Sequence, residues 1–257
     1  MRDNRTKARM ASGQPALGIS LTIPDAFVAE MVGAAGFDFV LVDTEHSPIT
    51  VDQLQTMLVA LRASSSTTFV RPVANDPGLI KQILDLGAEG VVVPEVHDAA
   101  SAAAAVAATR YPPSGRRGFG PRRAARLDGG RQNYLRRADQ EIAAFVMIEH
   151  PEAVADIDAI LQTPGLDGIM VGPADLAVGM GHLLELDHPE PGAAIERVFE
   201  ACQRHSFPFG IFAAAEASAR AWVGRGARFV TIGSDVQFLD QGLTRSRALA
   251  TELAPPS

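Results

Sequence analysis

Eight short apolar runs, each followed by a stretch with helical spacing, constrain the fold of this chain more than any other feature. They span 16–23, 37–42, 68–73, 90–96, 143–149, 168–172, 209–212 and 229–233. Several are apolar almost throughout, as in FDFVLVD, GVVVPEV, AAFVMIE and DGIMVGP. Strands covered by helices on both faces read this way, which is the pattern of a parallel sheet. Helix starts and stops are legible between them. Pro24 and Asp25 open a helix that Gly36 closes; Asp76 and Pro77 open one that ends at Gly87; Pro151 opens one that stops before Gly165. Eight such units with short connections predict an α/β protein, a closed (β/α)8 barrel rather than an open doubly wound sheet. The 257 residues suit one such domain, expected over 16–257, with 1–15 a flexible N-terminal extension.

Composition narrows the function classes. Lys and Arg number 23 against 30 Asp and Glu, a net charge of −7 that argues against a dedicated nucleic-acid binder. No apolar run approaches the roughly 18 residues of a membrane-spanning helix. The opening MRDNRTKARMASGQP lacks the apolar centre of a secretory signal. Cys202 is the lone cysteine, so an internal disulfide and a cysteine-based zinc site are both excluded. A cytoplasmic protein with neither nucleic-acid nor membrane partners is expected. The positive charge is unevenly placed: nine arginines lie between positions 110 and 137. The segment 112–140 shows no periodicity and reads as a long loop, serving either substrate or a subunit interface.

A barrel carries its chemistry at the C-terminal ends of its strands, so ionisable residues that end apolar runs are the candidates. The second run ends in Asp43-Thr44-Glu45-His46, the third reaches Arg71, the fifth ends in Glu149-His150, and the sixth leads through Pro173 and Ala174 to Asp175. Plainer readings exist for each: Asp175 as a helix cap, Arg71 as a rim salt bridge, His46 as a core histidine. Glu149 fits such a reading least, because burying a lone carboxylate costs several kcal/mol unless it is paired or bound to a cation. Two carboxylates with open positions suit Mg²⁺ or Mn²⁺. A cation and an arginine stabilise charge developing on oxygen, and a histidine moves a proton. These are the requirements for making and quenching an enolate. No lysine ends a strand in this set, which disfavours Schiff-base chemistry.

The motifs GFDFVLVDTEHSP, VRP, KQILDLGAEGVVVP, RYPPSGRRGFGP, MIEHPEAV, LDGIMVGPADLA and ARFVTIGSD together resemble the HpcH/HpaI aldolase family of metal-dependent, class II pyruvate aldolases. The resemblance runs from about Ala16 to Leu253. It implies a TIM barrel of the phosphoenolpyruvate/pyruvate type, assembled as a homo-hexamer (a trimer of dimers) with the last helix swapped between subunits. It implies cleavage of a 4-hydroxy-2-oxo acid to pyruvate and an aldehyde, with one Mg²⁺, Mn²⁺ or Co²⁺ per subunit and no organic cofactor. Glu149 and Asp175 match the metal carboxylates. Gly172, Ala174 and Asp175 would hold the substrate carboxylate, and Arg71 would stabilise the enolate. His46 matches the acid–base residue, and Asp85 the carboxylate that raises its basicity. Asp43 and Glu45 would support water bound at the ion.

Three positions depart from the family pattern. Met147 replaces a glutamine that contacts substrate, Ser20 stands where relatives place a tryptophan, and Glu95 replaces an apolar residue. Glu95 is expected to cap the following helix. Arg123, in GFGPRRAAR, is expected to reach the pocket and bind an acceptor carboxylate. The competing functions are a CoA-thioester carbon–carbon lyase of the citrate-lyase type and a non-catalytic barrel scaffold.

Overall fold

All eight apolar runs are strands in the computed structural model, which describes residues 2–183, 185, 188–213 and 215–254. They are β1 (Ala16–Leu21), β2 (Phe39–Asp43), β3 (Thr67–Arg71), β4 (Gly90–Val93), β5 (Ala143–Ile148), β6 (Gly168–Val171), β7 (Phe209–Phe212) and β8 (Phe229–Ser234). They pair in parallel in chain order, and β8 closes onto β1. A helix follows every strand, which completes the (β/α)8 barrel. Side-chain caps start several of these helices: Asp25, Thr50, Asp76 and Asp98 each accept hydrogen bonds from first-turn N–H groups.

The two-residue strand period sorts side chains by height as well as by face. Outward residues such as Val40, Val42, Val91, Val146, Ile148 and Ile169 are buried beneath the helices. Inward residues stack in layers. The lowest holds Phe39, Phe69, Phe145 and Phe229, with Phe39 stacked on Phe229 at 3.9 Å between centroids and Phe69 edge-on to Phe145 at 5.5 Å. Glycines on neighbouring strands make room for these rings: a Cβ at Gly18 would collide with Phe39, and one at Gly168 with Phe145. Above the rings lie Leu41, Val92, Met147 and Met170. Two residues beyond Leu41, Phe69 and Met147 on their strands, the same inward parity delivers Asp43, Arg71 and Glu149. The polar layer is thus the top course of the barrel filling.

Two expectations need correction. The N-terminal stretch is not a flexible extension. Residues Arg5–Ala11 form a helix capped by Asn4, with Thr6 and Met10 buried. Met10 packs with the lowest aromatic layer and covers the bottom of the barrel. Nor is 112–140 one long loop, because it contains the helices Arg122–Leu127 and Arg131–Glu141. Their buried faces are narrow, Ala124 and Ala125 on one, Tyr134 and Ala138 on the other, so little apolar periodicity is visible among the arginines. Among the described residues, no helix is long and apolar enough to cross a membrane.

Candidate active site

Asp43 and Arg71 are register partners on adjacent strands, so their side chains rise into the mouth at one height. Arg71 donates from Nε to Asp43 Oδ1 at 2.9 Å and from Nη2 to Oδ2 at 2.6 Å, a two-pronged contact between buried groups. Its Nη1 lies 3.1 Å from Glu45 Oε2, and Phe212 lies beneath the guanidinium, 5.5 Å from ring centroid to Cζ. The Arg71 carbonyl accepts from the N–H and hydroxyl of Thr44, locking the strand ends together. Asp43 Oδ1 also accepts the N–H groups of Glu45 and His46 at 3.0 and 3.4 Å, which fixes the turn that carries His46. The His46 ring is 59% exposed, with Nε2 3.7 Å from Glu45 Oε2. It is therefore not a core histidine and is free to meet a ligand from solvent.

Glu149 directly follows β5 and is 3% exposed. Its Oε1 accepts the Glu95 N–H at 2.9 Å. Its Oε2 lies against Gly172, where an added Cβ would sit 3.4 Å from that oxygen and 2.9 Å from Met147 Cε. Burial raises the Glu149 pKa, and Asp175 adds to the rise, while the Glu95 N–H and Arg71 oppose it. Burial likewise pushes Glu45 up to about 7, against the pull of Arg71 and with the repulsion of Glu149, Asp43 and Asp175. Asp175 lies in the first turn of the helix Pro173–Gly179, where the cap is Gly172 and no side chain caps, so the cap reading of Asp175 fails. The repulsion that Asp175 exerts on buried Glu149 and on Glu45 is what a divalent cation would relieve. Glu149 and Asp175 thus fit such an ion by donor type and by charge.

The structure does not bring Asp85 or Arg123 to this mouth. A helix that follows a strand runs back toward the barrel bottom, and Asp85 is the last residue of Pro77–Asp85, about 12 Å down that helix. There it accepts from Arg117 Nη2 at 2.7 Å, and no contact joins it to His46 within the chain. Arg123 donates to the carbonyls of Leu86, just past the helix Pro77–Asp85, and of Leu58, in the last turn of the helix Val51–Leu61, and with Asp85 it lines an outer groove near Gly120. Other arginines of the segment serve as struts: Arg110 bonds Asp167 and the Ile142 and Gly165 carbonyls, and Arg117 bonds Asp85 and Tyr134. Glu95 does not cap the next helix, because Asp98 does so with Ser101 in a reciprocal capping box. Ser20 is buried near the end of β1, and Met147 lies inside the barrel below Gly172.

Two contributors escaped the sequence. Phe212 ends an apolar strand without any polar signal. Asp235, directly after β8, accepts from the Thr22 N–H and hydroxyl and from the Ile23 N–H at 2.7–3.0 Å, sealing the seam between β8 and β1. An acid ending an apolar run was the readable sign of it.

The HpcH/HpaI aldolase/citrate lyase family model matches residues 21–241. A 5-keto-4-deoxy-D-glucarate aldolase of Klebsiella pneumoniae is 40% identical over 233 residues, 91% of each chain. A solved HpcH/HpaI aldolase/citrate lyase family protein from Burkholderia cenocepacia superposes with a TM-score of 0.92 at 34% identity, covering 96% of this chain and 99% of the other. The citrate synthase SbnG superposes at 0.87 with 30% identity, covering 97% and 98%.

Proposed function

The chain belongs to the HpcH/HpaI aldolase/citrate lyase family and is a carbon–carbon lyase, and from that membership we propose that it cleaves a 4-hydroxy-2-oxo sugar acid of the 5-keto-4-deoxy-glucarate type. The products of such a cleavage are pyruvate and a hydroxylated aldehyde acid, and the reaction runs in either direction. The observation that carries the reading is the Asp43–Arg71 fork beside buried Glu149, with His46 open at the rim.

The first-turn N–H groups of Ala174 and Asp175 have no partner inside their helix and receive the substrate carboxylate beside Gly172. A divalent cation held by Glu149 and Asp175 supplies Lewis-acid stabilisation when bound, with Mg²⁺, Mn²⁺ and Co²⁺ the candidates and no organic cofactor required. Arg71, fixed by Asp43, places its guanidinium against the charge that develops on the 2-oxo oxygen. His46 accepts the C4 hydroxyl proton as the C3–C4 bond breaks. The bonding pair passes to C3 and the 2-oxo oxygen as an enolate, and a proton returned to C3 releases pyruvate. Asp43 and Glu45 orient this machinery and balance its charge.

Asp85 and Arg123 share one outer face of the barrel, so they can serve a mouth only in another copy. We assign them that role in a homo-hexamer, with the last helix, Asp235–Leu253, exchanged between subunits. Along it Phe238, Leu239, Leu243 and Leu249 are exposed, a face suited to burial in a partner. A cytoplasmic setting suits the buried free thiol of Cys202.

The direct test is pyruvate release from 5-keto-4-deoxy-D-glucarate in the presence of Mg²⁺, Mn²⁺ or Co²⁺, with CoA thioesters as the contrasting substrates. EDTA should abolish turnover, and Glu149→Gln should lower it about 10³-fold, equivalent to about 4 kcal/mol of transition-state stabilisation. Full turnover in EDTA, or turnover of the thioester alone, overturns the proposal.

A further inference from the structure

After β4 the chain turns at Glu95 with φ +58°, a conformation unfavourable for a residue with a side chain. The turn aims the Glu95 N–H at Glu149 and sends the Glu95 carboxylate outward. There it meets His97, two residues on, and His150, which follows Glu149. The two imidazole rings face each other at 4.3 Å between centroids, tilted by 34°. Glu95 Oε2 is 3.8 Å from His97 Nε2, too far for a hydrogen bond. His150 Nε2 is buried and has no hydrogen-bond partner. One ligand atom from each of the three residues lies within 4.8 Å of the others.

Three potential ligand atoms therefore converge, one of them buried and without a hydrogen-bond partner. A buried polar atom without a partner is unfavourable, and His150 Nε2 is such an atom. A cation would give that nitrogen its partner, and the turn at Glu95 is what brings the carboxylate to it. Bonds of about 2.0–2.2 Å in tetrahedral geometry separate the donors by roughly 3.3–3.5 Å, a few tenths of an ångström from the spacing of Glu95 and His97. Two imidazoles and a carboxylate leave a fourth position for solvent. Such a nitrogen-rich set suits Zn²⁺, Co²⁺ or Ni²⁺, whereas the all-oxygen pair Glu149 and Asp175 suits Mg²⁺ or Mn²⁺. We propose that Glu95, His97 and His150 form a second cation site on the rim, selective for an ion of the zinc class and separate from the carboxylate pair in the mouth. The two sites touch through one hydrogen bond, from the Glu95 N–H to Glu149 Oε1.

Zinc counting in excess Mg²⁺ tests this without reference to turnover. The chelator-stripped chain is dialysed against zinc with Mg²⁺ in large excess, and bound zinc per chain is measured by atomic emission. His97→Ala and Glu95→Ala should each retain one zinc fewer per chain than the unaltered protein, and Glu149→Gln should retain the full count. A second His-containing group, His182 with His188 and Glu190, takes any zinc equally in all variants and cancels in the difference. Equal counts in the unaltered chain and in both rim variants overturn the proposal, as does loss of the same zinc in Glu149→Gln alone. The Co²⁺-loaded protein gives a second readout, a visible absorption band that must disappear in Glu95→Ala if the site is real; this variant also stands in should His97→Ala fail to fold.

Discussion

Arg71 binds Asp43 through two nitrogens and meets Glu45 through the third, and a lysine can reproduce only a point charge there. Arg71→Lys should lower kcat by about 10²–10³-fold, the range for losing one oriented donor to a developing oxyanion, with the barrel still folded by circular dichroism. Asp43→Ala should act differently. It leaves a buried guanidinium short of its partner and should lower stability by about 3–5 kcal/mol in urea unfolding. A variant as stable as the parent would show that Glu45 alone can balance Arg71. At this scale the sequence was informative wherever an ionisable residue ended an apolar run, as with Asp43, Arg71 and Glu149. It could not show that Asp85 and Arg123 lie away from the mouth of their own barrel, because a motif resemblance names a residue without saying which subunit's site it faces. Glu95 was misjudged for another reason: Asp98, three residues later, has the better cap geometry with Ser101.

Elements with a strong period were legible, and weakly patterned ones were not. All eight strands were readable because a doubly covered strand is apolar nearly throughout. The N-terminal helix Arg5–Ala11 was missed because only Thr6 and Met10, four residues apart, face inward on a segment otherwise polar and basic. The same sparseness hid the helices around Ala124, Ala125, Tyr134 and Ala138. Yet the first helix has a structural duty, since Met10 covers the aromatic layer from below. Met10→Ala should cost about 2–5 kcal/mol, the range for a buried Met-to-Ala truncation, read as a lowered urea midpoint with an unchanged slope. An unshifted midpoint would mean that the helix rests on the barrel without sealing it.

For the whole molecule, the final helix and the outer groove pose the question of assembly. Leu239→Asp with Leu243→Asp should shift the chain to a smaller species in light scattering, because both residues are exposed in the isolated subunit. A second measurement addresses the shared mouth. His46→Ala and Asp85→Asn, each expected to be nearly inactive alone, should recover part of the turnover when dissociated, mixed and reassembled. Recovery requires that one subunit lend its carboxylate to the histidine of another. Mixtures no more active than their components would confine Asp85 to its pairing with Arg117.

The ring-into-glycine packing at the bottom of the barrel has a consequence for how this protein could change. Gly18 and Gly168 admit no larger residue without displacing Phe39 or Phe145, and both rings are wholly buried. Mutational freedom should therefore divide by height. A comprehensive substitution library would be intolerant in the lower courses and permissive at exposed positions outside the binding machinery, such as Val178. New substrate preferences could then be acquired by altering the rim alone, while the foundation on which the reactive groups stand is left untouched.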